Sequence, residues 1–175
     1  GASSSWAIVC FGANTALPHH HSGPTVLREG DMVVLDLGGC LDGYQSDITR
    51  TGCFGTPSPD AVRVYEIVHE AHMAALNAAR PGVTCDSVDS AAREVITRTG
   101  YGPRFIHRTG HGIGLSTHEP PNLVKGDTTV LQSGMCFSDE PGIYLPGRFG
   151  VRIENIITVT SSGARSLNAP PSPTL

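Results

Sequence analysis

Two segments of this chain repeat one plan, and the repeat limits the folds that the chain can adopt. In the first segment, Gly30 precedes an apolar strand that reaches Asp36 six residues later, and in the second, Gly134 precedes a strand that reaches Glu140 at the same distance. Each strand is followed by a returning strand with a second acid, which is Asp47 in one case and Glu154 in the other. The pattern predicts two related β-hairpins, each with two carboxylates. The predicted strands are Met32–Leu37 with Ser46–Phe54, and Met135–Ile143 with Val151–Val159.

Two helices are predicted between the hairpins. The first begins after Ser58, a good N-cap that is followed by proline, and ends at Pro81-Gly82. The second is capped by Thr84 or Asp86 and ends before Gly100. Together with the hairpins, these helices predict an α+β fold.

The outer parts of the chain complete this arrangement. Trp6–Phe11 is a short apolar run that predicts a strand. Phe105–His118 is rich in glycine and predicts a strand followed by a loop, and the proline-rich residues Asn168–Leu175 predict an extended tail on the surface. Only the second hairpin has helices before it, so we expect a pseudo-twofold repeat whose first helix pair is missing from residues 1–175. A chain that lacks these helices and any N-terminal domain should be less active than the intact protein.

Composition excludes some classes of partner. A net charge of −4 with scattered basic residues gives no support for nucleic-acid binding. No apolar run approaches the roughly 20 residues that span a bilayer, so no membrane partner is expected. The five cysteines are odd in number and lack CxxC spacing, which favours reduced and mostly buried thiols in a cytoplasmic protein.

The four acids of the hairpins indicate a metal site. Asp36 and Glu140 end apolar strands, where a carboxylate is costly unless it is paired or bound to a cation. A salt bridge to arginine would explain one such acid, but few arginines lie nearby apart from Arg50 and Arg152. Two divalent cations explain all four acids more simply.

A histidine between glycines supplies a further ligand. His111 lies in Gly110-His111-Gly112-Ile113-Gly114, and His107 and His118 are close to it in sequence. A single histidine in such a loop is usually a turn residue, but three within twelve positions favour a functional site. Oxygen ligands with one imidazole favour Mn²⁺, with Co²⁺ or Zn²⁺ as alternatives.

These residues resemble the "pita-bread" metallopeptidases, which include methionine aminopeptidase, aminopeptidase P and prolidase. The resemblance covers nearly the whole chain, from about Trp6 to Leu167, and implies a pita-bread fold, in which helices cover a curved and mostly antiparallel sheet. It also implies a ligand set: Asp47 and Glu154 would bridge two metals, Asp36 would bind one, and His111 with Glu140 would bind the other. All five ligand positions are present and in the family's order.

The Xaa-Pro branch of the family is the most similar. Arg152 stands where methionine aminopeptidases usually carry glutamine, and Ile48-Thr49-Arg50-Thr51 and Ala16-Leu17-Pro18-His19 also resemble this branch. The resemblance implies a peptide substrate with proline at its second position, cleaved before that proline, and a homo-oligomer in the full-length protein. Dipeptides and longer peptides both remain open as substrates.

The resemblance also implies roles in catalysis. A water shared by two metals would become a hydroxide nucleophile that attacks the scissile carbonyl. Glu140 would be the general base, and His118 would stabilise the oxyanion or protonate the leaving proline nitrogen. His19 and His107 would face the substrate, with Arg152 and Tyr144 behind the ligands.

Three other readings compete with a proline-specific peptidase. Two are hydrolases, one similar to methionine aminopeptidase and one to creatinase, and the third is a peptide- or protein-binding module without catalysis. A creatinase-like enzyme or a binding module would be expected to lose metal ligands, and this chain keeps all five.

Overall fold

The first hairpin belongs to a three-stranded antiparallel sheet. The computed structural model describes residues 4–175, and it places β1 (Ser4–Phe11) beside β2 (Met32–Leu41), which pairs with β3 (Tyr44–Cys53). The turn between β2 and β3 is Asp42-Gly43, and both residues have positive φ, as a tight two-residue hairpin turn requires. Both predicted strands of this hairpin are therefore confirmed, and the tight turn makes them longer than the sequence indicated.

The two predicted helices are confirmed. α1 covers Pro59–Ala78 and α2 covers Cys85–Arg98. Ser58 Oγ accepts a hydrogen bond from Ala61 N at 3.2 Å, and Thr84 Oγ1 accepts one from Ser87 N at 3.3 Å. Thr84 rather than Asp86 is thus the cap of the second helix.

A second sheet packs against these helices. It has five strands in the order β10-β9-β6-β4-β5, which are β4 (Gly110–Gly112), β5 (Glu119–Leu123), β6 (Cys136–Asp139), β9 (Asn155–Val159) and β10 (Ala164–Ser166). A separate pair of strands is formed by β7 (Gly142–Leu145) and β8 (Phe149–Arg152). The side chains of the second sheet form one core with those of the helices, and Val64, Val68, Ile96, Phe137 and Ile157 are fully buried in it. Strands β5 and β10 were not predicted, because neither shows a clear alternation of apolar residues.

The second hairpin is interrupted where its two acids lie, which corrects the prediction of two continuous strands. β6 pairs with β9 and β7 with β8 in one register, but the ladder breaks at Glu140-Pro141 on one side and Ile153-Glu154 on the other. Pro141 has no N–H to donate to a ladder. At the break, Glu154 N donates instead to Thr49 O of the first hairpin at 3.1 Å, which joins the two sheets.

The tail is mostly exposed, as predicted, but it is also anchored to the domain. Its residues have no regular structure, but Pro171 is buried and Tyr65 Oη donates a hydrogen bond to Ser172 O at 2.8 Å. Arg50 donates to Ala169 O at 2.5 Å, and Asn168 Nδ2 donates to Asp47 O at 3.2 Å. The tail is therefore attached to the domain by contacts that connect residues distant in sequence.

The cysteines and helices bear on two further predictions. All five cysteines are free, but only Cys10 and Cys85 are buried, so the prediction of mostly buried thiols was wrong.

Within residues 4–175, neither helix has the length and apolar character needed to cross a membrane.

The outer face of the first sheet is apolar and open. Leu35 and Leu37 are 38% and 41% exposed, and their cross-strand neighbours on β1, Val9 and Ala7, share the same face. Ile48 of β3 lies opposite Leu37. Contiguous apolar surface of this kind drives association when it is left in water.

We expect Leu37→Lys to reduce self-association, because it places a charge at the centre of this open apolar face. Sedimentation velocity at increasing protein concentration should show a shift toward the monomer. Val130→Lys, at an exposed apolar residue outside the sheet, is the matched control. An equal shift in both variants, or none in Leu37→Lys, would contradict the role of this face.

Candidate metal centre

One cavity is lined by all five predicted metal ligands and by the predicted catalytic residues, but not by Tyr144. Its volume is about 700 Å³, and it lies where the two sheets meet. The five predicted ligands all line it, namely Asp36, Asp47, His111, Glu140 and Glu154. So do His19, His107, His118 and Arg152.

The first sheet supplies two of the acids through its register. Asp36 on β2 lies opposite Thr49, and Asp47 on β3 lies opposite Gly38, so both carboxylates are on the inner face. They are 8% and 3% exposed. The pairing of a tight hairpin thus places two buried carboxyl groups on the same face of the sheet.

Close backbone packing positions His111. A Cβ atom on Gly110 would lie 1.7 Å from Ser138 O, so only glycine permits β4 and β6 to approach this closely. Ser138 then connects the ligands of both strands: its Oγ accepts from His111 N at 2.9 Å and donates to Glu140 Oε1 at 3.0 Å. Sequence reasoning missed Ser138, since nothing in its local sequence distinguishes it.

Three of the predicted ligands are close enough to hold one cation. The nearest ligand atoms of Asp47, His111 and Glu154 all lie within 4.8 Å of one another, and all three residues are buried. His111 Nδ1 lies 3.1 Å from Gly112 O. If Nδ1 carries the proton and donates to this carbonyl, Nε2 is unprotonated and its lone pair can bind a metal. Glu140 Oε1 lies 3.3 Å from Nε2.

Unpaired atoms also fit a cation. Asp36 Oδ1 and Asp47 Oδ1 are buried and have no hydrogen-bond partner among the described residues. An unpaired carboxylate oxygen in a buried site is costly, and a divalent cation removes that cost. The oxygen-rich donor set with one imidazole suits the ions predicted from the sequence.

The other carboxylate oxygen of Asp36 is paired, because Arg152 Nη2 donates to Oδ2 at 2.6 Å. The arginine explanation for a single acid therefore holds for one of its two oxygens. Arg152 also donates to Tyr144 Oη at 2.9 Å, and this hydroxyl lies 2.8 Å from His107 Nε2. Asp36, Arg152, Tyr144 and His107 thus form one hydrogen-bonded network, of which only His107 is partly exposed.

Burial and like charge shift the pKa values of the acids upward. Burial, with the charges of Asp36 and Glu140 nearby, raises the pKa of Asp47 to about 8. Burial also raises the pKa values of Glu140 and Glu154 well above their usual range, and each has another acid of the cavity close by. Without a cation, the site therefore retains protons at neutral pH.

The histidines are held neutral by the same burial. It lowers the pKa values of His107 and His111 to about 4, so each ring has an unprotonated nitrogen at pH 7. Burial, and next the charge of Arg108, also lower the pKa of His118, whose ring centre lies 4.2 Å from that of His111. His19 is exposed on the cavity wall.

A buried network that the sequence did not reveal holds the segment of His107. Asp89 of α2 accepts from Thr109 Oγ1 at 2.7 Å and from Arg93 Nη2 at 2.9 Å. Arg93 also donates to His107 O at 2.9 Å, and Thr109 O accepts from Glu140 N at 2.8 Å. Helix α2 is thereby connected to a predicted ligand and to a predicted substrate-facing histidine.

Asp139, next to Glu140, pairs with a histidine of α1. Its Oδ2 lies 3.0 Å from His72 Nδ1, and both side chains are buried. Arg152 thus pairs with a candidate ligand and not with Asp139.

Acids and an imidazole around a buried cavity, at the junction of two antiparallel sheets, form the kind of site that metal-dependent hydrolases use. The chain belongs to metallopeptidase family M24, whose family model matches residues 1–161. The family predicted from the motifs is confirmed. The α+β class and its antiparallel sheets are confirmed as well.

Relatives of known name support the Xaa-Pro branch. The Xaa-Pro dipeptidase of Lactobacillus helveticus is 50% identical over 161 residues, which are 91% of this chain and 43% of that protein. The crystal structure of dipeptidase PepE from Mycobacterium ulcerans superposes with a TM-score of 0.95 at 50% identity, over 98% of this chain and 47% of that one. The structure of prolidase from Pyrococcus furiosus superposes with a TM-score of 0.93 at 45% sequence identity, over 95% of this chain and 49% of that one. The chain therefore spans less than half the length of these relatives.

We expect the metal-free protein to lose stability as pH rises from 7.5 to 8.5. The folded state holds protons on acids with raised pKa values that the unfolded chain, with an aspartate pKa of 3.8, has already released. Above pH 7.5, His107 and His111 are neutral in the folded state, and in the unfolded chain, where the histidine pKa is 6.5, they are almost entirely neutral too, so they do not oppose this trend. Mn²⁺ should abolish the trend, because it replaces the protons.

Thermal unfolding at both pH values, with Mn²⁺ and with a chelator, measures the effect. Asp47→Asn removes one of the titrating acids and should flatten the pH dependence of the chelated protein. A melting temperature that rises with pH in the chelator would contradict the charge repulsion.

Asp89→Asn should destabilise the domain by about 2 kcal/mol, because charge-assisted hydrogen bonds to Thr109 and Arg93 are lost. Urea unfolding of the metal-free protein measures the change. Glu94→Gln, at an exposed acid of the same helix, should change stability little. Equal losses in both variants would show that Asp89 has no special role.

Proposed function

We propose that the protein is a metal-dependent peptidase that cleaves the bond between an N-terminal residue and a following proline. The observation that carries this proposal is the convergence of four acids and one imidazole on one cavity. The names of the relatives support the specificity for proline.

Two divalent cations, most simply Mn²⁺, would be bound by the five predicted ligands. Asp36, Asp47, Glu140 and Glu154 would supply carboxylate ligands, and His111 would supply an imidazole ligand. The buried unpaired oxygens of Asp36 and Asp47 support this assignment. When bound, such ions supply activation of a water nucleophile and polarisation of the scissile carbonyl.

The side chains of the chain itself would orient the substrate and move protons. Glu140 accepts a proton as the general base, and Ser138 Oγ, at 3.0 Å from its Oε1, orients the carboxylate. His118 stabilises the developing oxyanion or protonates the leaving nitrogen, while His19 and His107 contact the substrate. The Arg152–Tyr144 pair fixes His107, because Tyr144 Oη donates to its Nε2.

The internal repeat supports a pseudo-twofold arrangement of the two hairpins as halves of one pita-bread domain. Both hairpins are antiparallel, both place their acids on the cavity, and the Thr49–Glu154 bridge joins them. Residues 1–175 would then be part of a longer catalytic domain that forms a homo-oligomer.

A binding module without catalysis is the alternative from another class. It needs neither a cation nor the neutral histidines. The unpaired oxygens and the cluster of three close ligands favour the enzyme.

We expect Mn²⁺-loaded protein to hydrolyse Ala-Pro and to leave Ala-Ala and Met-Ala largely intact. Asp47→Asn should lose both metal and activity, because the negative charge and one oxygen of a carboxylate ligand are removed. His118→Asn should keep the metal while kcat falls by about 10²–10⁴, the usual contribution of a general acid. Metal content by mass spectrometry and product release by chromatography measure the two effects.

His21→Asn is the matched control, since His21 is exposed and does not line the cavity. Normal metal content in Asp47→Asn would contradict the ligand assignment. Equal rates on Ala-Pro and Met-Ala would contradict the specificity.

A further inference from the structure

Two polar side chains lie behind the metal centre, where its acids leave the second sheet. Asp139 precedes Glu140 and Asn155 follows Glu154, and both are 0% exposed. Neither lines the cavity, whereas both acids do, as the alternation of side chains along a strand predicts. A buried carboxylate away from the cations is costly, and Asp139 has no part in the proposed reaction. Its presence therefore needs another explanation.

Asp139 and Asn155 lie opposite each other and form the last pair of the β6–β9 ladder before its interruption. Beyond this pair, the N–H groups of Glu140 and Glu154 bond to carbonyls of other segments. The residue after Glu140 is Pro141, which restricts the backbone of Glu140 to extended conformations. A displacement of Asp139 is therefore passed on to Glu140, because the backbone that joins them has little conformational freedom.

Each member of this last pair contacts a different element on the side away from the cavity. Asp139 Oδ2 lies 3.0 Å from His72 Nδ1 of α1, and His72 is 1% exposed. Among residues 4–175, no other side chain pairs with this carboxylate. Asn155 Nδ2 donates to Ala169 O of the tail at 3.0 Å. Helix α1 and the tail thus hold the end of the ladder from outside.

The stability of the fold does not by itself explain a buried pair of histidine and aspartate. Apolar residues of similar volume in place of such a pair are often neutral or stabilising, because polar groups lose their hydration when they are buried. A buried polar contact can instead select one arrangement of the elements that carry it. Here the contact selects the position of β6 against α1, one residue before a proposed ligand.

We propose that His72 and Asp139 are positioning residues, which fix Glu140 and thereby set the affinity of the site for divalent cations. This inference rests on the proposed function, of which it uses the binding of cations but not the cleavage of a peptide. His72 acts through Asp139, and Asp139 through the backbone of Glu140, so neither residue needs to contact a cation or a substrate. Groups that orient a metal ligand typically contribute roughly 10- to 100-fold to the affinity for the metal.

The test measures the dissociation constant for Mn²⁺ by calorimetric titration of the metal-free protein. His72→Leu and His72→Phe both remove Nδ1, and each should raise Kd about 10- to 100-fold. The sign is informative, because removal of a neutral or positive imidazole leaves the charge of Asp139 in place, and electrostatics alone would then not weaken the binding of a cation. His72→Gln, whose amide can donate to Asp139 Oδ2, should keep an affinity near that of the wild-type protein.

Val68→Ala is the matched control, since Val68 is fully buried one turn before His72 on α1 and has no polar contact to lose. It should lower the melting temperature, because it leaves a cavity in the core, but it should not change Kd. All titrations are made at a temperature where circular dichroism shows every variant to be folded. An unchanged or lower Kd in His72→Leu and His72→Phe, or an equal rise in Val68→Ala, overturns the inference.

Failure of the proposed function has a different signature. A wild-type protein that binds no Mn²⁺ overturns both proposals. One that binds Mn²⁺ but hydrolyses no Xaa-Pro compound overturns only the proposed cleavage, and the comparison of Kd values still decides the role of His72.

Discussion

Asp36, Asp47, Glu140 and Glu154 place four carboxylates around one cavity, and their mutual repulsion opposes folding. The raised pKa values of three of these acids record that cost. Arg152 neutralises part of the fourth. The rest of the domain supplies the packing that keeps the charges together, chiefly the core between the second sheet and its two helices.

Backbone geometry, more than flexible side chains, sets the positions of the ligands. The first hairpin fixes Asp36 and Asp47 by register, and the break at Glu140-Pro141 frees the second hairpin to bond to the first. Ser138 and Asp89 then hold neighbouring segments with buried hydrogen bonds. Such preorganisation lowers the cost of binding a cation or a substrate.

The sequence predicted the acids, the histidines and both helices, because each depends on local pattern or on motifs in a known order. It did not predict the interruption of the second hairpin, although Pro141 marks it, since a proline near a strand end is also compatible with a continuous hairpin. Asp36–Arg152 and Asp89–Thr109 connect residues 116 and 20 positions apart, and local pattern carries no information on such contacts. The buried Pro171 was missed for the same reason, because a proline-rich tail usually lies in solvent.

The attached tail has a consequence for the geometry between the two sheets. Asn168 bonds to the carbonyl of Asp47, and Arg50 bonds to the carbonyls of both Glu154 and Ala169. One short stretch of chain is thus tied to the backbone of an acid from each hairpin. Without that stretch, Asp47 O would lose its bond to Asn168 and Arg50 its bond to Ala169, so the tail helps to hold the backbones of the two acids at their present spacing.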